Sequence, residues 1–326
     1  MRERVLVTGA AGFVGRHLLA ALAEAAPAPR LFAWRRPGGA GAGAETRGAT
    51  WSEVDLLDRA AVERAVVAAA PTAVYHCGGA AAVAGSWGRV AETLETNVIG
   101  TENLLQAVQR THPGARVLVP GSALVYRPSD AALAEHHPVG PVTPYGLSKL
   151  AQEMLAAQFA AEGLPVLLTR SFTHLGPGQD RAYAASSFAH QVARIEAGES
   201  EPVLRVGALD ARRDLTDVRD TVRAYRALMA GGAPGAPYNV CTGRAHRMQD
   251  VVDRLLRLAR RPIAVTVEPA RLRPSDHSVL LGDPARIRAE TGWAPRIGLD
   301  ETLRDLLDHW RGAVAAEAAG DARPAG

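Results

Sequence analysis

A glycine-rich turn near the start of the chain constrains its fold more than any other feature. The segment VTGAAGFVGRHL places three glycines directly after an apolar run and at the start of a helix-patterned segment. Glycines allow a tight strand-to-helix turn and the close approach of a pyrophosphate, which the first backbone N–H groups of the helix then bind. The motif therefore predicts a dinucleotide site at Gly9, Gly12, Phe13, Val14 and Gly15.

The rest of the chain alternates short apolar runs with amphipathic, helix-patterned segments. Such alternation is typical of an α/β fold, here a Rossmann-type doubly wound parallel sheet covered by helices on both faces. We expect residues 1–170 to form the NAD(P)-binding domain, joined by a returning strand near 238–242. Residues 171–312 predict a smaller C-terminal substrate-binding lobe. Residues 313–326 are mostly small and are expected to form a flexible tail.

Composition and charge argue against several classes of protein. The 326-residue chain is 47% hydrophobic with a net charge of +3, and its arginines are interleaved with acids, so we expect no nucleic-acid surface. The chain contains no run of about 18 apolar residues, so we expect no membrane span. The two cysteines lie far apart, and no Cys–His cluster suggests a metal. The first residues lead directly into a strand without a signal peptide, so we expect a cytoplasmic protein.

Three polar residues form a candidate catalytic triplet. Tyr145 and Lys149 are one helical turn apart in TPYGLSKLAQEML, and Ser122 ends an apolar run upstream. A tyrosine, whose ordinary pKa is about 10, acts as an acid or base near neutrality when a nearby positive charge stabilises its phenolate. We therefore expect Lys149 to lower the pKa of Tyr145. A YxxxK pair is common by chance, but with the glycine turn and Ser122 it indicates catalysis.

Together these motifs resemble the extended short-chain dehydrogenases/reductases that act on nucleotide sugars, over nearly the whole chain. ETNVIGTENLLQAV (95–108) matches that family's segment around an asparagine, here Asn97, and RSFTHLGPGQ (170–179) resembles its RxFNHxGPGQ segment. VGALDARRDLTDVRDTVRAY and RLRPSDHSVLLGDPARIRAETGW resemble most closely the branch with GDP-4-keto-6-deoxymannose reductases, a neighbour of GDP-mannose 4,6-dehydratase. The resemblance implies an oxidoreductase of deoxysugar biosynthesis.

The second predicted strand ends in FAWRRPG and bears on the choice of cofactor. An acid at this place would hold the ribose 2′-hydroxyl of NAD, but Arg35 and Arg36 stand there instead. Their charged, planar N–H forks suit a 2′-phosphate, so we expect NADP(H) to be favoured over NAD(H). The resemblance implies further cofactor contacts at Asp55, Leu56, Cys77, Gly78, Gly79, Asn97, Tyr145 and Lys149.

The two positions after Ser122 separate two reactions of this family. A 4,6-dehydratase needs an additional acid and base to eliminate water, and dehydratases resembling this chain carry Glu, or Asp-Glu, just after the Ser or Thr. Ala123 and Leu124 stand there and cannot move a proton. Asp130 and Glu135, in the loop that follows, are the candidate substitutes. The pattern therefore favours a reductase over a dehydratase.

The predicted reaction is NADPH-dependent reduction of the C4 ketone of a GDP-4-keto-6-deoxyhexose, giving GDP-rhamnose or GDP-6-deoxytalose. Tyr145 would protonate the alkoxide, Ser122 would orient the carbonyl, and Lys149 would hold the nicotinamide ribose. The alternatives are a nucleotide-sugar C4 epimerase, a 4-ketoreductase of a dTDP-4-keto-6-deoxy sugar, a 4,6-dehydratase, and a nucleotide-sensing regulator without catalysis.

The substrate contacts are implied by the resemblance. A nucleoside diphosphate carries about two to three negative charges, which arginines suit. Thr173 replaces the family's usual asparagine, so the exact sugar stays open, and Arg212 is an alternative to Arg213. Two roles are open for His174, a contact with the sugar or the structuring of its own loop. The predicted contacts are Ser122, Ala123, Leu124, Thr173, His174, Arg213, Arg273 and Asp276.

The helix that carries Lys149 also predicts self-association. It continues as LAQEMLAAQF, apolar on one face, and resembles the four-helix dimer seam of the superfamily. We expect a homodimer through this helix, with burial inside one chain as the alternative. The expected small-molecule partner is a GDP-sugar, or a dTDP-sugar in the alternative.

Overall fold

Strands and helices alternate along the chain as the sequence predicts. The computed structural model describes residues 3–39, 48–81, 83–271 and 278–321. Its strands are β1 (Arg4–Thr8), β2 (Arg30–Arg35), β3 (Ala49–Glu53), β4 (Ala73–His76), β5 (Arg116–Ser122), β6 (Val166–Ser171), β7 (Thr173–Leu175), β8 (Val203–Val206), β9 (Arg212–Asp217), β10 (Pro237–Val240), β11 (Ala245–Arg247), β12 (Ala264–Val267) and β13 (Val279–Leu280). Its α-helices are α1 (Phe13–Ala23), α2 (Arg59–Ala69), α3 (Val83–Ser86), α4 (Val90–Leu94), α5 (Gly100–Thr111), α6 (Pro144–Ala161), α7 (Ala184–Glu196), α8 (Val218–Gly231), α9 (Met248–Leu258), α10 (Ala285–Thr291) and α11 (Leu299–Asp321).

The main sheet is parallel and has seven strands, in the order β10-β6-β5-β4-β1-β2-β3. β1 pairs in parallel with β2 on one side and with β4 on the other, for example Val5 with Leu31 and with Ala73. The strand order therefore reverses between β1 and β4, and ligands of such sheets bind beyond the carboxyl ends of the strands at this point. The predicted fold class is confirmed, and β10 is the predicted returning strand.

Both faces of the main sheet are buried, which explains why its strands are apolar at consecutive positions. In β1, Val5 and Val7 join the cluster that packs beneath α1 and α8. Leu6, between them, joins the cluster beneath α2, α5 and α6 on the opposite face. Burying a side chain of this size stabilises the fold by about 1.5–3 kcal/mol. The site-bearing strand ends therefore project from a rigid, two-sided core.

A second lobe packs around α7, α9 and α11. Its sheet contains β11, β9 and β13, with β7 also paired to β9, and β8 pairs with β12. The core of this lobe includes Phe188 and Val192 of α7, Leu204 of β8, Leu255 of α9 and Leu306 of α11. β7 follows β6 directly, so the lobe starts beside the carboxyl ends of the main sheet.

The structure corrects the prediction of a flexible tail from residue 313. α11 runs without a break to Asp321, and Val314 is 2% exposed because it packs into the lobe's core. Residues 322–326 lie outside the described part of the chain. Within the described ranges, no helix combines the length and apolar character that crossing a bilayer requires.

Candidate active site

The glycine turn folds as its spacing predicts. Gly9 follows β1 with φ +60°, a conformation that favours glycine, and a Cβ there would lie 2.5 Å from the Cys77 carbonyl oxygen. The Gly12 N–H donates to the Gly9 carbonyl at 2.9 Å. A Cβ on Gly15 would lie 2.3 Å from that same carbonyl oxygen. Side chains at Gly9 and Gly15 would therefore force apart β1, α1 and the loop after β4.

The start of α1 is suited to bind an anion. Gly12 precedes this 11-residue helix and offers no side-chain cap. The amides of Phe13, Val14 and Gly15 therefore stay free of a side-chain cap at the helix N-terminus, which borders a crevice between α1 and the loop after β4. Such N–H groups, together with the positive end of the helix dipole, bind phosphate. The cradle, which a Cβ would fill, fits the pyrophosphate of a dinucleotide.

The loop after β4 forms the facing wall of the crevice. Gly78 and Gly79 lie in it, and a Cβ on Gly79 would lie 2.7 Å from Asn97 Oδ1. Asn97 Oδ1 accepts from the Ala80 N–H at 2.8 Å, and its Nδ2 donates to Ser148 Oγ at 2.9 Å. Asn97, predicted as a cofactor contact, thus ties this loop to α6, and its role toward the cofactor stays a prediction.

The end of β2 presents the two arginines predicted to bind the 2′-phosphate of the cofactor. The Arg35 guanidinium pairs with Glu53 at 3.2 Å, whereas Arg36 is exposed. Asp55 is exposed and accepts from a backbone N–H two residues further on. The Leu56 side chain packs against the glycine loop after β4. Arg35 therefore shares its charge with a carboxylate, and Arg36 is the exposed cation at this end.

Helix α6 brings the catalytic triplet together. Thr143 caps the helix by accepting a first-turn N–H at 2.9 Å, which fixes Tyr145 in the first turn and Lys149 one turn later. Tyr145 lies beside Ser122, which ends β5, and both side chains line the same cavity. Lys149 Nζ donates to a carbonyl of β5 at 2.9 Å. The three predicted side chains converge at the carboxyl end of β5, beside the crevice.

Burial dominates the proton affinities of this triplet. It raises the pKa of Tyr145, with the nearby Tyr183 adding to the increase and the Ser122 hydroxyl opposing it. It also lowers the pKa of Lys149 to about 8. In this structure, burial outweighs any lowering of the Tyr145 pKa by Lys149, and the share expected from oxidised nicotinamide stays a prediction. The phenol is protonated at neutral pH, which is the form that donates a proton to an alkoxide.

A cavity of about 720 Å³ opens beside the triplet. The wall next to Ser122 is apolar, because Ala123 is 1% exposed and Leu124 is partly buried against the same cluster. The predicted substrate contacts that line this cavity are Ser122, Ala123, Leu124, Thr173, His174 and Arg213. Arg273 and Asp276 lie outside the described residues.

His174 structures its loop and also lines the cavity, and its contact with the sugar stays a prediction. Its ring stacks on Phe13 of the glycine turn, with centroids 6.0 Å apart and an interplanar angle of 14°. Its Nδ1 lies 3.2 Å from the Phe172 carbonyl oxygen, and burial lowers its pKa, so the ring is neutral at pH 7. His174 therefore connects the glycine turn to the second lobe and also lines the cavity. Arg213 also faces the cavity, whereas Arg212 is exposed.

Comparison with known families now places the chain. The model of the GDP-mannose 4,6-dehydratase family matches residues 6–306. The chain belongs to this family. GDP-6-deoxy-D-mannose reductase of Pseudomonas aeruginosa is 35% identical over 327 residues, covering 97% of this chain and 100% of the relative. These matches confirm the resemblance to extended short-chain dehydrogenases/reductases.

Two solved structures of related enzymes superpose on this one. RMD from Pseudomonas aeruginosa, complexed with NADPH, has a TM-score of 0.82 at 33% identity and covers 95% of this chain and 99% of its own. UDP-glucose 4-epimerase of Thermus thermophilus, in complex with NAD, has a TM-score of 0.83 at 29% identity and covers 96% and 100%. The fold of the family thus accommodates both cofactors, and the choice depends on local residues.

Sequence reasoning missed several residues that line the cavity of this family member. Tyr183 precedes α7, and its hydroxyl donates to the Ala81 carbonyl at 3.4 Å, across the mouth of the cavity. Arg181 and Arg271 add two further cations to the lining. These residues lie in loops or, for Arg271, a short 3-10 helix, without a recognisable motif, so only the packing of the second lobe brings them to the site.

Proposed function

We propose that this chain catalyses NADPH-dependent reduction of the C4 ketone of a GDP-4-keto-6-deoxyhexose, giving GDP-rhamnose or GDP-6-deoxytalose. The observation that carries the proposal is the cavity wall. Ser122 and Tyr145 line it beside the apolar Ala123 and Leu124, and Lys149 lies one helical turn beyond Tyr145, bonded to a carbonyl of β5. The 35% identity to a GDP-6-deoxy-D-mannose reductase supports the same substrate class.

The mechanism assigns one task to each residue of the triplet. When bound, NADPH supplies the hydride that reduces the ketone at C4. Ser122 donates a hydrogen bond that orients the C4 carbonyl oxygen. Tyr145, protonated at neutral pH, gives its proton to that oxygen as the alkoxide forms. Lys149, with a pKa of about 8, is an ammonium that binds the nicotinamide ribose. The backbone amides of the glycine turn hold the pyrophosphate.

Elimination of water is disfavoured by where the available acids lie. Ala123 and Leu124 cannot carry a proton. Of the candidate substitutes, Asp130 accepts from Ser278 at 3.0 Å and Glu135 accepts from the Asn239 N–H at 2.8 Å, so both carboxylates are bonded to other parts of the protein. Neither faces the reaction as a free base. We therefore propose a reductase rather than the dehydratase for which the family is named.

The proposal extends to cofactor and compartment. Arg35 and Arg36 support NADPH over NADH, and the related RMD structure complexed with NADPH supports the same choice. A C4 epimerase, which would retain and recycle NAD, is the competing function because epimerases share this fold. We also propose a cytoplasmic location, for which the free thiols of Cys77 and Cys241 are suited.

Cofactor consumption with two substrates tests the proposal. Purified protein is supplied with NADPH and either GDP-4-keto-6-deoxymannose or a dTDP-4-keto-6-deoxy sugar, and NADPH absorbance is followed. Oxidation with the GDP-sugar is the expected result. Oxidation with the dTDP-sugar alone would support a 4-ketoreductase but refute guanine as the nucleobase of the substrate. No oxidation with either sugar would refute a 4-ketoreductase and direct attention to epimerisation.

We further propose a homodimer through α6. Leu147 is 48% exposed and Met154 is 67% exposed, although both are large and apolar, and they lie two turns apart on one face of this helix. Trp87 and Ile99, on segments adjacent to α6, are also exposed, at 60% and 43%. An apolar face of this kind on a helix that is otherwise packed is typical of an interface with a second copy.

The dimer is tested by Met154→Glu. A carboxylate in an apolar interface costs its desolvation, so we expect the dimer to dissociate at least about tenfold more readily, measured by sedimentation equilibrium. Val67→Glu is the matched control, because Val67 is 54% exposed on α2. A wild-type monomer, or an unchanged dimer in Met154→Glu, would contradict the proposed interface.

A further inference from the structure

The environment of Lys149 is built almost entirely from neutral groups. Lys149 is the only lysine in the chain, beside 36 arginines. Its Nζ donates to the Pro120 carbonyl at 2.9 Å and to Gln152 Oε1 at 2.7 Å. Burial lowers its pKa to about 8. The ammonium is therefore held by a backbone carbonyl and an amide oxygen instead of a carboxylate.

Behind Gln152 lies a buried hydrogen-bond network that leads away from the cavity. Gln152 Nε2 donates to Thr101 Oγ1 at 2.7 Å, and the Thr101 hydroxyl donates to the Asn97 carbonyl at 2.6 Å. His76 Nε2 also lies 2.9 Å from Thr101 Oγ1. Because the Thr101 proton is already donated, Thr101 accepts from both neighbours, and His76 carries its proton on Nε2.

The far end of the network reaches the end of β1 and the loop after β4. His76 Nδ1 then accepts from the Thr8 hydroxyl at 2.8 Å, and Thr8 Oγ1 in turn accepts from the Gly78 N–H at 3.0 Å. Burial, reinforced by the charge of Lys149, lowers the pKa of His76 to about 3, so the ring stays neutral. Gln152, Thr101, His76 and Thr8 are each at most 2% exposed.

We propose that Gln152 is the positioning residue of Lys149, and that Thr101 and His76 hold its amide oxygen against the ammonium. The network allows one orientation of the amide. If the amide were flipped, its NH₂ group would face the ammonium and its oxygen would face Thr101, whose proton is already used. The fixed orientation holds the ammonium between the Pro120 carbonyl and the Gln152 amide oxygen, ready for the proposed contact with the nicotinamide ribose. The importance of this arrangement for hydride transfer rests on the proposed function, but the arrangement itself does not.

A neutral partner has a definite consequence for Lys149. A carboxylate at this position would form an ion pair, raise the pKa of Lys149 and compete with the ribose for its protons. The amide binds the ammonium without neutralising it. The titratable groups electrostatically coupled to Lys149 are the Cys77 thiol and His76, from β4 and its loop, while Tyr145 lies one turn before it on α6. None of these is anionic at neutral pH.

Direct titration of Lys149 by NMR tests the proposal. Because the chain has one lysine, protein labelled with [ε-¹³C]lysine gives one resonance and needs no assignment. Without cofactor, the wild type is expected to titrate with a pKa of about 8. Gln152→Met removes the acceptor and should lower this pKa by about one unit, whereas Gln152→Glu should raise it by at least as much. For Gln152→Glu, the Thr101 hydroxyl turns to donate to the new carboxylate.

The opposite signs separate positioning from mere structural support, because a loss of packing would not move the two variants in opposite directions. Gln158→Glu, an exposed position of the same helix, is the matched control and should leave the titration unchanged. NADPH affinity, measured by fluorescence at neutral pH, should fall in Gln152→Met. Unchanged lysine titration in both Gln152 variants would overturn the proposal. Because the titration uses no sugar, failure of the reductase assay would leave it intact.

Discussion

Tyr145→Phe is expected to lower kcat for reduction about 1,000-fold while leaving NADPH affinity within about twofold of the wild type. The substitution removes only the hydroxyl that lies beside Ser122, and the ring keeps its packing in the first turn of α6. The alkoxide then has no positioned proton donor, because Ala123 and Leu124 cannot replace it. Steady-state kinetics with the GDP-4-keto sugar and a fluorescence titration of NADPH measure the two quantities.

Tyr183→Phe is the matched control for this substitution. Tyr183 lines the same cavity, but its hydroxyl donates to the Ala81 carbonyl at 3.4 Å and belongs to the cavity mouth. We expect its kcat to fall by less than about tenfold, since no proton transfer is assigned to it. If Tyr145→Phe retained most of the activity, or if Tyr183→Phe lost as much as Tyr145→Phe, the assignment of the proton donor would be wrong.

The double variant Arg35→Ser, Arg36→Ser is expected to weaken NADPH binding about 100-fold, because two charge-assisted contacts to the 2′-phosphate are lost. NADH has no phosphate at this position, so its affinity should change by less than about threefold. Arg35 already pairs with Glu53, so the single variant Arg36→Ser should account for the larger share of the loss. Calorimetric titration with both cofactors measures the ratio.

Arg30→Ser is the control for the loss of positive charge. Arg30 is an exposed arginine at the opposite end of β2, away from the crevice. It should leave both affinities unchanged. An equal loss of NADH and NADPH affinity in the double variant would mean that the arginines support the strand end and do not read the phosphate.

The sequence was most informative where function depends on spacing along one local element. The glycines of the turn, together with Tyr145 and Lys149 one helical turn apart, lie in single strand–helix units whose geometry follows from the backbone. The parallel sheet was equally predictable, because its strands are buried on both faces. Placing Ser122 beside Tyr145 needed the family resemblance as well, since β5 and α6 are separate elements.

Features that depend on packing between distant segments could not be predicted. The proton affinity of Tyr145 follows from its burial by both lobes, which outweighs any charge nearby. The support of Lys149 combines Gln152 with Thr101 and His76, which come from three elements. The last turns of α11 are helical because Val314 finds a place in the second core, although the local sequence resembles a tail.

The family name and the proposed activity differ, and the difference lies in two side chains. Ala123 and Leu124 occupy positions where a dehydratase needs proton-transferring groups, while the Ser122–Tyr145–Lys149 arrangement is complete. Such an arrangement supports hydride transfer to a ketone but lacks the additional acid and base that elimination of water requires. The central claim is therefore net transfer of a hydride from the cofactor to C4 of the sugar.

Transfer of deuterium from NADPH labelled with deuterium at its reactive C4 position tests that claim most directly. The protein is incubated with GDP-4-keto-6-deoxymannose and each stereoisomer of the labelled cofactor, and the product is analysed by NMR. We predict that one of the two isomers places deuterium at C4 of the sugar, in proportion to the cofactor oxidised, and that none appears at C5 or C6. A product without deuterium at C4, or one formed with no net loss of cofactor, would contradict the account.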